Sequence, residues 1–168
     1  MERMVCVKLL SIKLAITLAI IGFGIIAHAE DDYLKAERLC YEIERNINAQ
    51  VDFTTTKCLL GPGLQKGSIS FILISKEPIL SLRKSKKTRQ YWLIAVVRAV
   101  GMAMWDNPKI KMGDVYVTDT NLMEKHKALC FSGELAKVLQ RKAFNGEINL
   151  DQLYLELRKA TKWVDISS

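Results

Sequence analysis

Histidine is almost missing from this 168-residue chain, which has two, and only His126 lies beyond residue 29. A zinc-type metal site built on imidazoles is therefore not expected. A Ser-His-Asp triad would depend on that same histidine, and no Gly-x-Ser-x-Gly segment surrounds any serine. Internal repeats and low-complexity linkers are also lacking. The sequence thus predicts a protein that is not an enzyme, without catalytic residues, metal or cofactor.

The first 29 residues have the pattern of a secretory signal peptide. Three basic residues precede an apolar run at 14–26, and Ala27-His28-Ala29 places small residues at −3 and −1. We expect cleavage before Glu30, which leaves residues 30–168 as a single domain in the periplasm or secreted. The lack of any Asn-x-Ser/Thr sequon agrees with a bacterial periplasm. The alternative interpretation is an uncleaved N-terminal anchor.

The charge of the chain is basic, with a net +7. The first 29 residues hold three basic residues and one acidic residue, so +5 remains on residues 30–168. For an exported protein, this charge points away from nucleic acid. It favours anionic neighbours, which are lipid headgroups, acidic glycans or an acidic protein.

Cys40, Cys58 and Cys130 remain after the predicted cleavage, so one disulfide and one free thiol are expected. Counted back from the end of the first helix, Cys40 lies ~14 Å away at the helical rise. Counted forward along the following strand, Cys58 lies ~23 Å away. If the strand folds back along the helix, the two sulfurs reach a similar height. This favours a Cys40–Cys58 pair, with Cys130 free or as the alternative partner.

The stretch Tyr91–Trp105 is the most apolar part of the predicted domain, with thirteen apolar residues of fifteen. It is shorter than the ~20 residues that span a bilayer, so we expect a buried central helix. The expected elements are helix 32–49, strands 51–60 and 67–75, central helix 91–105, strands 115–118 and 126–131, and helices after Ser132 and Asn149.

These elements predict a small single α+β domain in the order α-β-β-α-β-β-α-α. We expect a four-stranded antiparallel sheet packed by the central helix. The last helix is expected to continue to Val164, because apolar residues follow helical spacing at Leu150, Leu153, Leu157, Ala160 and Val164.

A basic segment, residues 83–89, leads into the central helix, and five of its seven residues are cationic: Arg83, Lys84, Lys86, Lys87 and Arg89. Positive charge at a helix N-terminus opposes the helix dipole. The segment is interpreted either as a solvated first turn or as a contact site for an anionic partner.

Arg98 is the one charge within the apolar stretch. A buried guanidinium needs a partner. Glu134 or Asp114 would make its role structural, whereas an anionic ligand would make it a binding residue.

Asp106, Asp114 and Asp119 surround the third predicted strand. Paired carboxylates perform acid–base chemistry or hold Ca²⁺. Aspartate is also an ordinary residue of turns and helix ends, and this second interpretation is favoured.

Three functional hypotheses follow. The first is an exported protein-interaction module, such as an inhibitor, an immunity-type protein or an accessory of an envelope machine, whose partner is another envelope or secreted protein. The second is a binder of anionic lipid or glycan through residues 83–89. The third, least favoured, is a hydrolytic enzyme that uses Asp114, Asp119 or a free thiol.

Overall fold

The computed structural model describes residues 33–62, 68–81, 86–110 and 112–166. The chain divides into two compact units, Met1–Lys35 and Ala36–Ser168. The expected signal peptide at 1–29 lies outside the described residues, as do Arg83 and Lys84 of the basic segment. All described strands belong to the second unit.

The described residues form a mixed α+β arrangement of five helices and one five-stranded sheet. Residues 33–35 of the first unit are also helical. The elements of the second unit are α1 (36–50), β1 (Thr56–Pro62), β2 (Ile69–Ser75), α2 (Lys86–Asp106), β3 (Met112–Asp119), α3 (Thr120–Met123), β4 (Lys127–Ser132), α4 (Gly133–Phe144), α5 (Leu150–Ala160) and β5 (Lys162–Asp165).

The sheet is mixed, so the expected antiparallel four-stranded sheet is wrong. Its strand order is β1-β2-β3-β4-β5, and β2 pairs with β3 in parallel, while the other three pairs are antiparallel. The cause is the position of α2, which connects β2 to β3. A helix between neighbouring strands carries the chain back to the end of the sheet where the first strand began, so the second strand runs parallel to it.

The last helix is shorter than expected, because α5 ends at Ala160 and β5 follows. Thr161, the C-cap, already has extended backbone angles with ψ 144°. Val164 then lies opposite Ala128 in an antiparallel pair with β4. Helical spacing was misleading here, since β-branched and aromatic residues also suit a strand when a neighbouring strand offers hydrogen bonds.

Only one face of the sheet is covered by the four long helices. Cys58, Leu73 and Val117 share one row across three strands, and all three belong to the buried core with residues of α1, α2, α4 and α5. The row on the opposite face is half-buried or exposed and consists of Leu59, Ile72, Tyr116 and Cys130. Among the described residues of the second unit, the long helices therefore lie on one side of the sheet, and the side chains of the opposite row are half-buried or exposed.

A disulfide joins α1 to β1, as expected. Cys40 and Cys58 are bonded with their Cα atoms 5.5 Å apart, and Cys130 is a free thiol. The bond is compatible with an exported protein. None of the helices in the described ranges combines the length and apolarity needed for a transmembrane span.

Gly101 sets the distance between α2 and α4. A Cβ atom at this position would lie 2.5 Å from Gln140 Cβ and 2.6 Å from the Ala136 carbonyl oxygen. Real Cβ atoms do not approach a neighbour so closely, and the carbonyl belongs to the backbone of α4. The two helices can therefore pack this tightly only because residue 101 has no side chain.

Replacing Gly101 with alanine is expected to lower the free energy of unfolding by ~1–3 kcal/mol, as overpacking of a core does. The clash outweighs the ~1 kcal/mol that alanine gains over glycine in helix propensity. Urea denaturation of Gly101→Ala measures the loss. Met102→Ala, at the exposed neighbouring position, is the control and should change stability by less than ~0.5 kcal/mol. A Gly101→Ala variant as stable as the parent would contradict the close approach of α2 and α4.

Candidate anion-binding cleft

A cleft of ≈ 410 Å³ lies where the start of α2, the end of α5 and the strands β4 and β5 meet. Lys86, Arg89 and Leu93 line it from α2. Their spacing of three and four residues places all three on one side of that helix. Leu129 and Trp163 line it from the sheet, where they are register partners across β4 and β5.

The residues of α5 that line the cleft also lie on one face of their helix. Tyr154, Leu157, Arg158 and Thr161 follow the i, i+3, i+4, i+7 pattern of one helical face, and all four line the cleft. The Arg158 guanidinium lies over the Tyr154 ring, with Cζ 5.9 Å from the ring centroid. This cation–π contact favours a guanidinium position beside the cleft rather than a freely solvated one.

The charge of the cleft is of one sign. Lys86, Arg89 and Arg158 line it, and the described lining residues include no carboxylate. Within the described ranges the ion pair is Lys142 with Glu156, at 3.4 Å, and none of the three cleft cations takes part in one. Three cations that form no ion pair among the described residues create a local positive potential that attracts an anion.

Arg89 shows the clearest unmet bonding capacity. Its side chain is half-buried, and its Nε is buried with no hydrogen-bond acceptor among the described residues. A buried donor without an acceptor costs ~1–3 kcal/mol, more when it is charged. An anion in the cleft would accept this hydrogen bond, so the position of Arg89 favours an occupied cleft.

The floor of the cleft is apolar. Leu80, Leu93 and Leu157 are buried there, and Tyr154 is 5 % exposed. Trp163, by contrast, is 56 % exposed at the rim. A ligand that fits this chemistry brings negative charge for the cations together with an apolar part for the leucines and the indole.

The cationic residues predicted from the sequence do not form one site. Lys86 and Arg89 line the cleft, whereas Lys87 lies 5.8 Å from the Tyr91 ring centroid and lines a separate depression. Arg98 is half-buried rather than fully buried, in helical register with the exposed residue Met102. Whether Arg98 has a structural role or binds an anion stays a prediction.

Arg158 and Tyr154 were not among the residues predicted to bind an anion. Their spacing of four residues, with the arginine in the last helical turn, was the available signal. Extending the helix to Val164 concealed it, because a continuing helix would not have placed Trp163 on the sheet beside them.

The aspartates of β3 do not form a carboxylate pair. Asp119 is fully buried and accepts hydrogen bonds from the backbone N–H groups of Leu80, Ser81 and Leu122 at 2.7, 2.7 and 3.0 Å. Asp114 lies five residues earlier, ~16 Å along the strand and on its opposite face. No group of three or more candidate metal ligands occurs in the described part of the chain. Asp119 thus has a structural role, because it bonds the end of β3 to the backbone at Leu80 and Ser81 and to α3.

Cys130 is poorly suited to nucleophilic chemistry. Burial, and secondarily the negative charge of Asp114, raise the pKa of its thiol to about 11. Burial also raises the pKa of Tyr116, its partner across β3 and β4. A reactive cysteine requires a lowered pKa, because the thiolate is the nucleophile. The environment of Cys130 therefore opposes a catalytic role.

Alkylation of Cys130 by iodoacetamide at pH 8 is expected to be ~100-fold slower in the native protein than in the denatured, unreduced protein, since two pKa units separate the folded thiol from an ordinary one. The rate should rise about tenfold per pH unit until the pH nears 11. Mass spectrometry of the peptide that contains Cys130 gives the rate. Asp114→Asn should accelerate it. Native and denatured rates within a few-fold of each other would contradict the raised pKa.

Comparison of the chain with protein-family models, curated proteins and solved structures gives no match. The chemistry of the described residues therefore carries the functional inference. The Asp119 carboxylate is buried and bonded to backbone N–H groups, and the Cys130 thiol has a raised pKa. The cleft, by contrast, has three cations above an apolar floor.

Proposed function

We propose that this chain is an exported protein-interaction module that binds an acidic segment of another envelope or secreted protein in the cleft between α2, α5 and β5. The observation that supports this most is Arg89, whose buried Nε lacks an acceptor beside two further cations. Export is supported by the Cys40–Cys58 bond and by the signal-like segment at 1–29.

The apolar floor favours a protein segment over a simple anion. A peptide segment can place charged and apolar side chains within a few ångströms of each other. This matches the cleft, where cations lie next to leucines and Trp163. A concave cleft also suits an inserted chain better than a flat bilayer surface. The same cations would also attract an anionic lipid or glycan. These are the ligands of the alternative hypothesis, in which residues 83–89 form a basic contact segment. The two ideas differ in which probe binds.

The test uses an eight-residue peptide with blocked ends, Thr-Glu-Thr-Leu repeated twice, called here the acidic probe; in an extended chain its glutamates and leucines lie on one face. Calorimetry should detect binding that weakens as salt is raised, because exposed charges are screened. Arg89→Ala and Arg158→Ala should each raise the Kd by ~10–100-fold, which is the loss of a hydrogen bond to a charged group. Arg45→Ala, an exposed arginine on α1, removes the same charge elsewhere and should leave the Kd within about twofold, since exposed charges outside a site contribute little.

Two results would overturn the proposal. One is the absence of binding to the acidic probe. The other is arginine-dependent binding to phosphatidylglycerol vesicles or to an acidic polysaccharide without binding to the probe, which would assign the cleft to lipid or glycan. Circular dichroism of each variant separates lost binding from lost folding.

A further inference from the structure

We infer that the acidic segment binds as an added β-strand along the free edge of β5, with alternate side chains entering the cleft. This rests on the proposed function, because it concerns the same cleft and partner. It adds that the backbone of the partner is recognised as well as its charge.

The two edges of the sheet differ in their backbone bonding. At β1, Asn48 accepts a hydrogen bond from the Thr56 N–H at 2.7 Å and donates one to the Thr56 carbonyl at 3.0 Å. Glu44 Oε2 accepts from the Cys58 N–H at 3.0 Å. Side chains of α1 thus occupy the positions that a further strand would use. The β1 edge is therefore bonded by α1 at Thr56 and Cys58.

The β5 edge is different. Ile166 N–H donates to the His126 carbonyl at 2.7 Å, so residues of the same parity direct their backbone groups toward β4. Thr118 Oγ1 donates to the Lys127 carbonyl at 2.8 Å, which shows that this group faces β3 rather than β5. Trp163 and Asp165 have the opposite parity in β5, and their backbone N–H and C=O groups therefore point away from β4. No described residue bonds them.

Two concavities flank this edge. The cationic cleft includes Trp163, and a second depression of ≈ 400 Å³ is lined by Leu122, Lys127 and the strand residues Trp163, Val164 and Asp165. Strand addition gains affinity from backbone hydrogen bonds and specificity from pockets that receive alternate side chains. An edge strand between two concavities provides both.

Charge selects the partner. Lys127 and Lys162 add positive charge near β5, while Asp165 is the acidic residue of the strand. Charged residues on an edge also discourage pairing between identical chains. A second copy would bring the same cationic cleft residues toward this edge, whereas an acidic strand is complementary to them. The occupant is therefore an extended acidic segment of another protein.

The test compares three forms of the acidic probe: unmodified, N-methylated at every threonine, and N-methylated at every glutamate and leucine. In an added strand only one of these two sets of amides faces β5. One methylated form should therefore bind about tenfold or more weakly, and the other should bind like the unmodified probe. Hydrogen exchange of the Trp163 and Asp165 amides should slow by a similar factor on binding the unmodified probe.

Equal affinities of the two methylated forms, whether strong or weak, would overturn strand addition. If the unmodified probe binds with dependence on Arg89 while the methylated forms are equivalent, the cleft recognises side chains alone and the proposed function stands. If the unmodified probe does not bind, the proposed function itself fails. The same protein serves in all three titrations, so no variant needs to fold.

Discussion

The apolar helix α2 must be shielded from water on nearly every side, and the rest of the fold follows from that constraint. Trp92 is fully buried, and its Nε1 donates to Thr56 Oγ1 at 2.9 Å, which ties α2 to β1. Gly101 allows α4 to approach on another side. Because α2 also connects β2 with β3, its burial against the sheet makes those strands parallel.

The first turn of α2 lowers the stability of the helix, since it carries cations at the end where the helix dipole is already positive. Lys86 and Arg89 meet Arg158 there rather than an acidic residue. Such an arrangement costs stability when no anion is bound. Under the proposed function this cost is offset when an acidic segment binds, whereas dispersed charges would keep an apolar helix in solution without the repulsion.

Local signals in the sequence predicted the local structure well. Ser132 and Asn149 cap α4 and α5 with side-chain hydrogen bonds to Leu135 and Gln152, as their residue types indicated. The Cys40–Cys58 pair also followed from simple lengths. The predictions that failed concern contacts between residues far apart in the sequence. The strand β5 exists because β4 offers it hydrogen bonds, and helical spacing cannot report this. The β5 side of the cleft, with Trp163, therefore escaped prediction.

The most direct test of the central claim is the location of the bound anion. Titration of ¹⁵N-labelled protein with the acidic probe, followed by amide chemical shifts, maps the contact residue by residue. The account predicts that shifts concentrate in the first turns of α2, the last turn of α5 and β5. Shifts centred instead on the open sheet face around Ile72 and Tyr116, or along α2 at Arg98 and Trp105, would contradict it.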